Sequence, residues 1–110
     1  MTTKKRKKSE AIRRLEEVTG GPLMFSDVIE STRLCDEISQ AEFARMLGIS
    51  RQHLCDIEKG RKTVSPARAA KWAKKLGYSE QMWAELALQA VVDAEGLGYR
   101  VKLEHASLYV

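Results

Sequence analysis

The chain has 110 residues, 44% of them hydrophobic and 31% charged, with a net charge of +4. That is enough for one domain with a small core, and the longest apolar run falls far short of the ~18 residues of a membrane helix. Two cysteines with no C-x-x-C spacing exclude a disulfide scaffold.

Residues 1–22 read as a basic N-terminal arm. Lys4, Lys5, Arg6, Lys7, Lys8, Arg13 and Arg14 meet a single acid, Glu10, within the first fourteen residues, so the rest of the chain is slightly acidic. Net basicity is therefore a poor argument for a nucleic-acid partner unless the arm itself contacts phosphates. Its other readings are a solvated tail or a docking segment for a protein. No apolar stretch follows the basic residues, so the arm is no secretory signal and a cytoplasmic protein is expected. Ser9 is placed to cap a short helix to about Thr19, with Ile12, Leu15 and Val18 three apart. Gly20, Gly21 and Pro22 then break the chain and set a domain boundary.

The spacing predicts a helix from Leu23 to Ile38, with Phe25, Ile29, Thr32 and Cys35 on its inner face. Cys35 is expected as a small core residue. Two short helices follow between Ser39 and Gly60. Ser39 and Glu42 form an S-x-x-E capping box, Phe43, Ala44 and Leu47 share a face, and Gly48 ends the first helix. Ile49 anchors the turn and Ser50 caps the second helix. There Leu54 and Ile57 point inward, so Gln52, Cys55, Asp56 and Lys59 lie on the opposite arc, with Arg51 on the flank. A short helix with such a front fits the major groove of DNA, where Arg and Gln pair bidentately with guanine and adenine.

The segment resembles the helix-turn-helix of the Cro and phage-repressor family, often called the XRE family. Gln40, Phe43, Ala44, Leu47, Gly48, Ile49, Ser50, Leu54, Ile57, Glu58 and Gly60 stand in that family's order and spacing. The resemblance covers about residues 23 to 95. It implies a five-helix, all-α, lambda-repressor-like domain. It also implies an ion pair between Arg33 and Glu58, and a phosphate contact from Gln40. Small single-domain members of this family commonly act as antitoxins, neutralising a protein toxin and repressing their own operon, which implies a possible toxin partner here.

Beyond the motif, Arg61 and Lys62 make a basic loop suited to phosphate contact. Ser65-Pro66 opens a helix with Ala69, Trp72, Ala73 and Leu76 as its stripe, closed by Gly77. Ser79 opens another, with Trp83, Leu86, Ala87, Ala90, Val91 and Ala94, closed by Gly96. Both tryptophans read as core. In residues 97–110, Tyr99, Val101 and Leu103 alternate with Arg100, Lys102 and Glu104, the period of a strand. A lone strand leaves backbone groups without partners, so pairing with a second copy, or with another protein, is expected.

The domain plan is therefore an arm over 1–22, the DNA-binding domain over 23–96, and a dimer or partner segment over 97–110. Base contacts are assigned to Arg51, Gln52, Cys55 and Asp56. Phosphate contacts are assigned to Gln40, Ser50, His53, Lys59, Arg61 and Lys62, with further contacts from Lys4, Lys5, Arg6, Lys7 and Lys8. His53 and His105 fall on different elements, and no phosphate loop or metal-spaced cluster occurs, so neither an enzyme, a cofactor nor a metal is expected. The function expected is a dimeric repressor reading double-stranded DNA at a palindromic operator.

Overall fold

The structure is a computed structural model that describes residues 23–106. The basic arm, its Ser9–Thr19 helix and the last four residues lie outside the described residues. Five helices follow one another: α1 (Phe25–Cys35), α2 (Gln40–Leu47), α3 (Arg51–Glu58), α4 (Pro66–Leu76) and α5 (Glu80–Ala94). The described residues contain no strand.

Four serines set the helix starts. Oγ of Ser39, Ser50, Ser65 and Ser79 accepts from the backbone N–H of Glu42, His53, Arg68 and Met82 at 3.1, 3.0, 3.2 and 3.2 Å, satisfying donors that the first turn of a helix leaves without partners. At α2 only the serine half of the expected capping box is present: no bond returns from the Glu42 side chain. Glycines set two of the stops that matter for the site. Gly48 (φ 76°) ends α2 and Gly60 (φ 76°) turns the chain back beyond α3, both in the left-handed region that other residues occupy at a cost.

The core joins all five helices. Ile29 of α1, Phe43 of α2, Leu54 and Ile57 of α3 and Trp83 of α5 are its largest fully buried side chains. Trp83 meets Phe25 edge-on at 5.7 Å and stacks on Tyr78 at 5.5 Å, so the helix stripes converge on one ring. Trp72 is also buried, and its Nε1–H donates to the Leu47 carbonyl at 3.2 Å. Lys75 Nζ donates to the Met46 carbonyl. Through these two bonds α4 satisfies carbonyls that the end of α2 leaves open.

Two expectations need correction. α1 is shorter than 23–38, and Cys35 is exposed at its last turn, not part of the core. The expected C-terminal strand does not form. Its backbone partners come instead from the side of α5. Gln89 Nε2 donates to the Tyr99 carbonyl at 2.8 Å and Gln89 Oε1 accepts from Val101 N–H at 2.6 Å. Glu85 Oε1 accepts from Leu103 N–H at 2.9 Å, and Gln81 Nε2 donates to the Leu103 carbonyl at 2.8 Å. Gln81, Glu85 and Gln89 are four apart, about 6.0 Å along a helix, while alternate residues of an extended chain are about 6.6 Å apart. The two strides nearly match, so a polar stripe on α5 stands in for the neighbouring strand. The Tyr99 carbonyl, the Val101 N–H and both backbone groups of Leu103 are thus satisfied within the chain.

Candidate nucleic-acid interface

α3 is pinned from behind. Leu54 and Ile57 are 0% and 1% exposed, and Ala44 at 1% lets α2 approach closely. Arg51, Gln52 and Lys59 are exposed, while His53, Cys55 and Asp56 are half-buried. All the side chains assigned to base contact therefore lie on one outward arc, and none is packed into the interior.

Below that arc sits a buried charge. Glu58 is 8% exposed and accepts from three directions: Arg33 Nε at 2.8 Å, Arg33 Nη2 at 3.2 Å and Gln40 Nε2 at 2.9 Å. Arg33 Nη1 also donates to the Ile38 carbonyl at 3.0 Å. The bidentate bond to Glu58 raises the Arg33 pKa above its ordinary value. α1, α2 and α3 are tied together at one point, and no buried side-chain polar atom among the described residues lacks a partner. Gln40 is thus a member of this network, with its second amide proton still free for another acceptor. Its Oε1 lies 3.5 Å from Arg51 Nη1, at the outer limit of a hydrogen bond, which leans Arg51 toward the start of α2.

The front of α3 carries a second network. Asp56 Oδ1 accepts from Gln52 Nε2 at 3.2 Å and from Arg61 Nε at 3.1 Å. The bond from Arg61 is the main cause that holds the Asp56 carboxyl below the usual carboxylate range; burial opposes it and Gln52 adds to it. Arg61 reaches this place because the chain reverses at Gly60. Gly60 N–H donates to the Ile57 carbonyl at 3.0 Å and Arg61 N–H to the Asp56 carbonyl at 2.8 Å, a Schellman closure that carries Arg61 back along the helix. Its Nη2 lies 4.0 Å from Cys55 Sγ. Sequence reasoning placed Arg61 in a loop beyond the helix. The structure keeps Arg61 in that loop, and the signal for the return of its side chain to α3 was a glycine followed by arginine five residues after Asp56. Lys62 stays exposed in the loop.

A short helix with a buried aliphatic back, joined by a left-handed glycine turn to a supporting helix, defines a helix-turn-helix protein. Residues 37–83 match the helix-turn-helix family model, of Cro/C1 (XRE) type. DNA is the partner that this match implies, and transcription regulation the activity. No curated protein and no solved structure matches the chain. None of the described helices is long and apolar enough to cross a membrane.

Proposed function

We propose that the protein is a sequence-specific repressor that inserts α3 into the major groove of double-stranded DNA and acts as a homodimer on a palindromic operator. The observation that carries this reading is the outward arc of Arg51, Gln52, Cys55 and Asp56 on a helix whose back is fully buried. Lys59 and Lys62 are exposed cations at the end of that helix, free of ion-pair partners among the described residues, and serve phosphates. Ser50 and His53 at the helix start, Gln40 beside them, and the cations of the arm add further phosphate contacts. Dimerisation is supported by the exposed Leu97 and Tyr99, at 55% and 69%, and by the outer backbone edge of Arg100, Lys102 and Glu104, which has no partner among the described residues. Truncation before Tyr99 should give monomers in sedimentation; an intact dimer would exclude this segment as the interface.

Selection from random double-stranded DNA tests the main reading. Enriched sites should be two-fold symmetric with half-sites about one helical turn apart. Binding without any enriched sequence would sink it. A second reading is that the protein is also an antitoxin that binds a toxin and represses their shared operon. It is favoured by the two exposed apolar side chains of the C-terminal segment, which lie outside the matched residues 37–83. A small toxin-like reading frame beside the gene, with a product that copurifies, supports this reading. An isolated gene counts against it.

A further inference from the structure

We infer that Arg61, held on the recognition face by Asp56, reads a guanine, and that Asp56 is its positioning residue. This rests on the DNA reading above and names two determinants of its specificity. Three observations carry it. The Schellman closure at Gly60 turns the loop back so that the Arg61 side chain reaches the face of α3. The bond from Arg61 Nε to Asp56 Oδ1 at 3.1 Å fixes the inner side of the guanidinium and leaves both terminal nitrogens as an end-on fork. That fork matches O6 and N7 of guanine, and displacing the long Cys55 contact at 4.0 Å costs little.

Charge decides between a base and a phosphate. A cation that serves phosphates gains by displacing counterions, which requires uncompensated positive charge. Arg61 is neutralised by Asp56 at contact distance, while its neighbours Lys59 and Lys62 are not. Guanine O6 and N7 are neutral acceptors and need donors in a fixed direction, not net charge. Asp56 supplies that direction. It also takes one amide proton of Gln52 at 3.2 Å, leaving Gln52 with one donor and one acceptor on offer, the pair that adenine requires.

The test compares the full-length wild type with Arg61→Ala, Arg61→Lys, Asp56→Asn and the double variant Asp56→Asn/Arg61→Ala. Each is put through selection from random duplex DNA, followed by titration on the wild-type operator across salt concentrations. Arg61→Ala should lose ~5- to 150-fold preference at one G·C pair per half-site and keep the wild-type salt slope. Arg61→Lys retains the charge but not the fork, and should lose preference at the same pair. Asp56→Asn should relax that pair as well, and the double variant should be no worse there than Arg61→Ala alone. A loss spread over all sequences with a slope shallower by ~0.9 would make Arg61 a phosphate contact and overturn the inference. So would unchanged preference in Arg61→Ala, or full selectivity in Asp56→Asn. A wild type that enriches no sequence at all would instead overturn the DNA reading itself.

Discussion

α3 and the segment from Tyr99 to Leu103 are both short, and both lie on the outside of the domain, yet they are held by opposite means. α3 satisfies its own backbone through helical bonds, a serine cap and the Gly60 closure, then buries two aliphatic side chains and a carboxylate. The C-terminal segment satisfies its backbone only through side chains of α5, and its Val101 and Leu103 are half-buried. A helix tied to the core through its back keeps its front at a fixed angle, as reading base edges demands. A segment held by three polar side chains can open locally without disturbing the core.

Breaking the anchor of α3 should have the largest effect. Arg33→Ala leaves Glu58, at 2% side-chain exposure, without its bidentate partner. Unfolding in denaturant should show a loss of ~3–5 kcal/mol. A loss under ~1 kcal/mol would mean that the pair behaves as a solvated one. Adding Glu58→Ala should cost less than the sum of the single changes, because the stranded charge goes with it.

Changing the front of α3 should spare folding and affect recognition. Gln52 is exposed, so Gln52→Ala should leave the unfolding midpoint in place and weaken operator binding by ~1–3 kcal/mol, with relaxed preference at one base pair. An equal loss on every sequence would reassign Gln52 to the backbone.

The C-terminal segment should respond more weakly still. Gln89 makes two bonds to it, at 2.8 and 2.6 Å. Gln89→Ala should release the segment at a cost of ~0.5–1.5 kcal/mol for each bond. Hydrogen exchange at the Val101 amide should quicken while the core amides keep their protection. If the core amides lose protection equally, the segment is part of the cooperative unit and the contrast with α3 fails.

The contrast also explains what could be read in advance. Local rules were enough for the helices: serine caps, left-handed glycines and apolar residues at helical spacing act within a few residues. The placement of Gln52, Asp56, Leu54 and Ile57 follows from the same periodicity. The errors came where a long-range partner decides. Tyr99, Val101 and Leu103 carry a true two-residue alternation, but the choice between a second strand and the flank of a helix is made by Gln81, Glu85 and Gln89, some ten to twenty residues away. Their spacing of four is legible in the sequence, yet on an exposed helix face it is read by default as solvent-facing polarity. The bond from Arg61 to Asp56 escaped for a related reason: Arg61 lies in the expected loop, but the return of its side chain depends on the chain reversal at Gly60, not on the helical wheel of α3.

The finest distinction concerns Asp56. Its carboxyl is held below the usual range mainly by the bond from Arg61, with Gln52 adding to it. A depressed folded-state pKa means that its contribution to stability is complete above the unfolded value of about 3.9 and is lost as pH falls through the lower, folded value. Carbon NMR of the Asp56 carboxyl should place its midpoint below that ordinary value. Arg61→Ala should raise the midpoint, because it removes the largest cause of the depression and leaves burial opposed only by Gln52 and Lys62. An unmoved midpoint would show that Arg61 does not rest on Asp56 in solution, and would remove the geometric basis for reading guanine. If the bond is kept, Asp56 stays ionised from about pH 5 to 8, and preference at the guanine should be flat over that range.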